Sequence, residues 1–230
     1  MLILCDSKMP VAAKEKLSAY GAIIEFATEG ITYEAISGHP DIFFCPTPKV
    51  LIVAPNLPVE YLNILNKRGV INTAGNLPVG KKYPESARYN ALFASDKLIL
   101  NPDIIDPSIQ IQNPDAEIIP IKQGYTRCSL IHLPNNTFIT SDHGIEKNLK
   151  LNQFKVLFVD PSCVKLEGFQ NGFIGGACGI HEDLLFICGR LKYFKEKDLF
   201  EEFTARAGVQ IIELYDGQPI DIGTLIFLEN

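Results

Sequence analysis

Six cysteines and four histidines are the residues of this 230-residue chain best suited to act as nucleophile, base or metal ligand. Cys5, Cys45, Cys128, Cys163, Cys178 and Cys188 are spread singly. No paired-cysteine or cysteine–histidine spacing reads as a zinc site, so no metal is expected and the thiols are expected to stay reduced. Cys5, Cys45 and Cys188 lie in strongly apolar runs, where cysteine behaves as a small hydrophobe. Cys128 and Cys178 have other surroundings: one follows Arg127 in Gly124-Tyr-Thr-Arg-Cys-Ser, the other ends Gly172-Phe-Ile-Gly-Gly-Ala-Cys. A thiol attacks carbon only as thiolate and, with an ordinary pKa of about 8.5, needs a positive neighbour or a base. Arg127 and His39 could serve.

The remaining histidines read as structural. His132 alternates with apolar residues on a strand, His181 marks a hairpin tip, and His143 in Ser141-Asp-His-Gly suits a turn or helix cap while standing as a second chemical candidate. The glycines at 172, 175, 176 and 179 lack the Lys-Ser/Thr of a phosphate loop and sit where a strand is expected, so they read as close packing or a bulge. They make Asn171 and Cys178 secondary candidates for any central channel. No cofactor is expected.

The totals exclude several classes of function. A net charge of -6 without a basic stripe argues against nucleic acid as a partner. No stretch reaches the roughly 18 apolar residues of a spanning helix, and the start lacks a basic leader, so no membrane partner and a cytoplasmic location are expected. A hydrophobic content of 47% and a mean hydropathy of +0.10 suit a chain that buries its own core.

One pattern recurs at roughly 40 to 50 residues, the scale of a supersecondary repeat. Two apolar runs flank a turn at residues 41–54, 90–100, 128–140 and 172–188, and the turns carry hairpin chemistry such as Pro134-Asn-Asn and Ser95-Asp. Amphipathic stretches at 58–68 and 195–206 each end at a glycine and lead into a third strand. The helices of the middle units, around 102–107 and 144–150, are weaker, and proline is expected to reduce the first to a turn. Residues 221–228 look like half a hairpin, and the amino terminus supplies a strand, a helix over 10–20 and a strand over 22–26. Joined, these ends make a fifth copy. The expectation is one α/β domain over 1–230, with units at 221–230 plus 1–38, 39–88, 89–125, 126–170 and 171–220, closed into a ring by pairing of the last strand with the first.

This organisation resembles the penteins, or guanidino-group modifying enzymes, which include arginine deiminases, dimethylarginine hydrolases, amidinotransferases and a non-catalytic translation initiation factor. The resemblance implies a pentein-like α/β propeller: ββαβ units with approximate fivefold pseudosymmetry around a central channel. Gly124-Tyr-Thr-Arg-Cys-Ser-Leu-Ile resembles the family's nucleophile segment, with Cys128 at the cysteine position. Gly38-His-Pro-Asp-Ile-Phe-Phe resembles the segment bearing the catalytic histidine, with His39 the match and Asp41 beside it. The family's histidine stands about two units before its cysteine, as His39 stands before Cys128. In the family, however, the cysteine belongs to the repeat near the carboxy terminus, and here residues 219–224 contain none. Any matched site is therefore shifted around the ring.

What the resemblance implies for chemistry is a cysteine-dependent hydrolase or amidinotransferase that acts on a small guanidino or amidino C–N bond through a covalent thiol adduct. Its catalytic residues would be Cys128, His39 and Asp41. Arg127, Asn90, Asp221 and Asn171 would surround the substrate, with Asp41 and Asp221 as the carboxylates that hold its cation. His39 would protonate the leaving amine and then activate water. The alternative is a non-catalytic module of the same fold that binds a protein or small ligand. The sequence leaves the oligomeric state open.

Overall fold

Each pair of apolar runs folds back on itself because its turn admits the twisted geometry a hairpin needs. Asn135 and Asn136 both adopt left-handed backbone angles, φ 60° and 54°, and asparagine tolerates that region better than branched residues do. The computed structural model describes residues 1–229, which form five three-stranded sheets.

The sheets share one plan: a first strand runs antiparallel to a second, and the chain returns through a helix to a third strand parallel to the second. The amino-terminal sheet has β1 (Leu2–Asp6), α1 (Val11–Leu17) and β2 (Ala22–Phe26). Next come the one-turn α2 (Pro40–Phe43), β3 (Phe44–Pro46), β4 (Leu51–Val53), α3 (Val59–Lys67) and β5 (Asn72–Ala74). The third unit is β6 (Leu92–Ala94), β7 (Lys97–Leu100), α4 (Pro107–Ile111) and β8 (Glu117–Pro120). The fourth is β9 (Leu130–Leu133), β10 (Thr137–Thr140), α5 (His143–Leu151) and β11 (Lys155–Phe158). The fifth is β12 (Cys178–His181), β13 (Leu184–Ile187), α6 (Lys197–Arg206) and β14 (Gln210–Glu213).

The final strand, β15 (Ile226–Leu228), pairs antiparallel with β1, placing Leu228 opposite Leu2 and Ile226 opposite Leu4. The first unit is thus assembled from both ends of the chain. The second strands are the most buried, β1 completely so, whereas the third strands are mostly half-buried or exposed. This is the pattern expected of strands covered on both faces and on one face respectively.

Three local details differ from the sequence reading. The stretch 102–105 is a turn as expected, but a short helix not expected there follows it: Pro107 opens α4, Asp106 caps it by accepting from the Ser108 amide, and proline at the first position has no amide to satisfy. The glycine-rich stretch is irregular up to Cys178, so β12 begins later than residue 172. Residues 221–225 turn sharply before β15, with Gly223 and Thr224 both left-handed at φ 64° and 67°.

Candidate active site

In each unit, the residues just ahead of the first strand point to the same end of the ring. Asn90, Cys128 and Thr224 stand two residues before β6, β9 and β15, and Asp41 lies on α2 three residues before β3. Equivalent positions in a closed ring must converge, and these four do. The Cys128 thiol donates to Asp41 Oδ2 at 2.7 Å, and Asn90 Nδ2 approaches the same sulfur at 3.2 Å. Asn90 also accepts the Cys128 amide through Oδ1 at 3.1 Å and donates to the Asp41 carbonyl at 3.2 Å. The Thr224 hydroxyl reaches Asp41 Oδ2 at 3.0 Å and the Gly175 carbonyl at 3.1 Å, its single proton serving one at a time. Asp41 Oδ1 is buried with no partner among the described residues.

His39 lies beside this cluster, between two further carboxyls. Its Nε2 is 3.7 Å from Asp6 Oδ2 and its Nδ1 is 3.8 Å from Asp221 Oδ1, too far for hydrogen bonds but close enough for charge to act. Asp221 is fixed by the amides of Phe173 at 2.9 Å and Gly223 at 3.1 Å. Two glycines make room for this arrangement. A Cβ at Gly223 would lie 2.1 Å from the His39 Cβ, and one at Gly176 would lie 2.0 Å from Asp221 Oδ1.

Cys128, His39 and Asp221 line one small chamber of about 20 Å3, completed by Tyr33, Ile36, Ile42, Tyr125, Leu166 and Phe173. That is room for about one water molecule. Outside it lies a cleft of about 930 Å3, lined by Asp6, Lys8, Lys165 and Phe169 among others. Tyr33, Leu166 and Asp221 face both spaces, so Tyr33 and Leu166 form the partition between solvent and sulfur. Tyr33 is steadied by its hydroxyl contact with Tyr125 at 3.3 Å and by the ring of Phe169 at 5.6 Å.

The electrostatics follow from burial. Desolvation raises the pKa of Asp41 and Asp6 above the usual carboxylate range, with His39 opposing it. Asp221 is pushed up to about 6 by the same burial, against its two amide donors. Burial lowers His39, although Asp41 and Asp6 pull the other way. The Cys128 thiol is raised well above its ordinary value by burial first, then by the carboxylates of Asp41 and Asp221. Burial and the two carboxylates thus outweigh any pull of Arg127 and His39 towards the thiolate. Three carboxyls face one imidazole, and a cation entering this space would relieve their repulsion and favour the thiolate together.

The structure brings together Cys128, Asp41 and Asn90 by direct contact and adds His39 and Asp221 through the shared chamber. Arg127 and Asn171 are placed elsewhere. Arg127 lines a separate cavity further along the first strands, and its loop reaches the chamber only through Cys128 and Tyr125. Asn171 is half-buried ahead of Gly172, and its loop meets the chamber with Phe173 instead. His132, His143 and His181 all lie outside the chamber: His143 stacks on Phe158 and pairs with Glu146, and His181 stacks on Phe227. Sequence reasoning missed Thr224, Asp6 and Tyr33. Thr224 was legible through its offset from the strand that follows, which Asn90 and Cys128 share; Asp6 and Tyr33 carried no such signal. Among the described residues no set of three His, Cys, Asp or Glu side chains is arranged to hold a metal ion.

A protein-family model matches residues 4–226, and the chain belongs to that family, described as a family of unknown function (DUF6873). No curated protein matches the sequence. Several solved structures resemble it. The amidinotransferase SxtG from Microseira wollei, of a saxitoxin biosynthetic pathway, superposes with a TM-score of 0.59 at 10% identity over 92% of this chain and 87% of that one. Agmatine deiminase from C. jejuni gives 0.56 at 11% identity over 93% and 87%. DDAH from Pseudomonas aeruginosa, complexed with citrulline, gives 0.52 at 11% identity over 92% and 91%. With its five ringed sheets, the chain has the pentein fold of these guanidino-modifying enzymes.

Proposed function

We propose that this protein is a cysteine-dependent hydrolase or amidinotransferase acting on a small guanidino or amidino C–N bond, with Cys128 as nucleophile. The observation that carries this reading is the direct contact between the Cys128 thiol and Asp41, at a small, acidic chamber that also holds His39 and Asp221. A planar cation entering past Tyr33 and Leu166 would find Asp221 and Asp6 as counter-charges. Pairing with carboxylates keeps such a cation oriented with its electrophilic carbon open to the sulfur.

The proton steps follow the pKa directions. Asp41 Oδ2 takes the thiol proton, and the sulfur bonds to the planar carbon to give a tetrahedral adduct. Asp41, a carboxyl of raised pKa already touching the sulfur, returns that proton to the departing nitrogen; the C–N bond breaks and a thiouronium remains. His39, kept neutral by burial, accepts a proton from water as its oxygen attacks the same carbon. The C–S bond then breaks, the sulfur takes its proton back from His39, and the urea product gives up its extra proton to the amine. An acceptor amine in place of water makes the reaction a transfer. Arg127 and Asn171 have no step in this scheme, and Asn90 orients the sulfur.

The small size of the chamber and the raised pKa of the thiol favour a second reading, a module of the same fold that binds a ligand without turning it over. One experiment separates the two. The protein is incubated with a panel of alkylguanidines and alkylamidines, amine and ammonia release are assayed, and quenched samples are weighed by intact-mass spectrometry. Turnover and an amidino adduct on Cys128, both absent in Cys128→Ser, are expected; thermal stabilisation by a ligand with neither adduct nor turnover selects the binding module.

A further inference from the structure

The ring has a second polar cavity that the proposed reaction does not use. It measures about 170 Å3 and is bounded by the first strands β6, β9 and β12, with Arg127, His132, Gly175, Gly179, Cys178 and Thr224 in its wall. It shares no lining residue with the Cys128 chamber, and Thr224 stands between the two, its hydroxyl reaching Asp41.

Two groups in that wall are incomplete. Arg127 Nε and His132 Nε2 are buried without a hydrogen-bond partner among the described residues, whereas the terminal nitrogens of Arg127 and Nδ1 of His132, equally without a protein partner, keep accessible surface. Burial disfavours the Arg127 cation, while the carboxylate of Asp41 favours it through space. A guanidinium carries five donors in a planar fork that matches an oxyanion, and one held at a cavity wall without acceptors is an unmet requirement. His132 lies tilted against Phe138, with 5.0 Å between ring centroids, and burial pushes it down to about 4, so it is neutral at pH 7. The wall therefore offers one positive charge, a planar fork and one neutral ring nitrogen.

We propose that this cavity is an anion site for a small monovalent carboxylate, held by the Arg127 guanidinium and completed by a hydrogen bond from His132. A single cation matches a single negative charge, and planar bidentate geometry suits a carboxylate. The cavity has room for an acetate-sized ion with accompanying water.

The test is NMR of the arginine side-chain Nε–H groups in the intact protein, with the Arg127 signal assigned by its loss in Arg127→Gln. Sodium acetate is titrated in at constant ionic strength, with sodium chloride as the balancing and control salt. A saturable shift of the Arg127 signal with acetate is expected. His132→Asn should weaken binding about fivefold, the effect of one lost hydrogen bond. Arg127→Lys, which keeps the charge, loses the fork and is followed through the His132 ring signals because it has no arginine Nε–H, should weaken it as well, and Cys128→Ser should leave it unchanged. A linear or absent acetate response, an equal response to chloride, or unaltered binding in Arg127→Lys would each overturn the site. Because the titration follows the wild-type protein, it is decisive even if a variant does not fold. Binding that survives Cys128→Ser separates this site from the proposed reaction, whose failure would not touch it.

Discussion

The Cys128 thiol donates to Asp41 Oδ2 across 2.7 Å although 87 residues separate the two along the chain. That contact makes opposite predictions for acidity and for rate. After burial itself, the charge of Asp41 does most to raise the thiol pKa. Asp41→Asn should therefore make Cys128 more acidic and speed its alkylation by iodoacetamide at pH 8. Turnover should nevertheless fall by about 100-fold, because the acceptor and donor of the thiol proton is lost. Slower alkylation, or unchanged turnover, would remove Asp41 from the proton path.

Access to the sulfur is set by Tyr33 and Leu166, which separate the chamber of about 20 Å3 from the cleft of about 930 Å3. All six cysteines are buried, so in the unliganded protein none should label quickly. Leu166→Ala should raise the alkylation rate of Cys128 by about tenfold while leaving Cys5 and Cys188 unchanged, because the effect is local opening and not global unfolding. Peptide mapping after timed alkylation reads this directly; equal acceleration at all three sites would mean destabilisation alone.

Asp221 links the site to pH. Its pKa rises from 3.8 in the unfolded chain to about 6 in the fold, so its contribution to stability is fully present below 3.8 and is lost as pH rises through 6. At pH 8 the cost of burying its charge reaches roughly 3 kcal/mol. Asp221→Asn does not titrate. The unfolding free energy of the wild type relative to this variant should therefore increase as pH falls from 8 to 4, measured by urea denaturation. A difference independent of pH would show that Asp221 carries no buried charge. The same ionisation should make turnover rise with pH through 6, since the carboxylate has to hold a cation.

Ring closure rests on short strands, and β15 contributes only Ile226–Leu228. Ile226 is 1% exposed and faces Leu4 across the pair. Ile226→Ala should cost about 2–5 kcal/mol, the range for truncating a buried aliphatic side chain. Because Thr224 and Asp221 lie just upstream, the variant should also loosen the Asp41 cluster and speed Cys128 alkylation. A loss below about 1 kcal/mol would mean that β15 is dispensable for closure.

The sequence alone determined the repeat, and through it the ring. Hairpin turns, helix-ending glycines and apolar runs are local signals, and each is read from neighbours a few residues apart. The half-units at the two ends, 1–26 and 221–228, showed that the first and last strands need each other, and β1 does pair with β15. Cys128, His39, Asp41, Asn90 and Asp221 were also legible, because equivalent places in a pseudosymmetric repeat must meet at its axis. Tertiary structure decided the rest. Arg127 adjoins Cys128 in sequence yet lines another cavity, since both lie in the turn ahead of β9, where neighbouring side chains diverge. The protonation of the thiol, the partition made by Tyr33 and Leu166, and the entry of Asp6 and Thr224 depend on burial and through-space charge among residues from all parts of the chain. Those quantities exist only once the ring has closed, so no local pattern of residues could encode them in readable form.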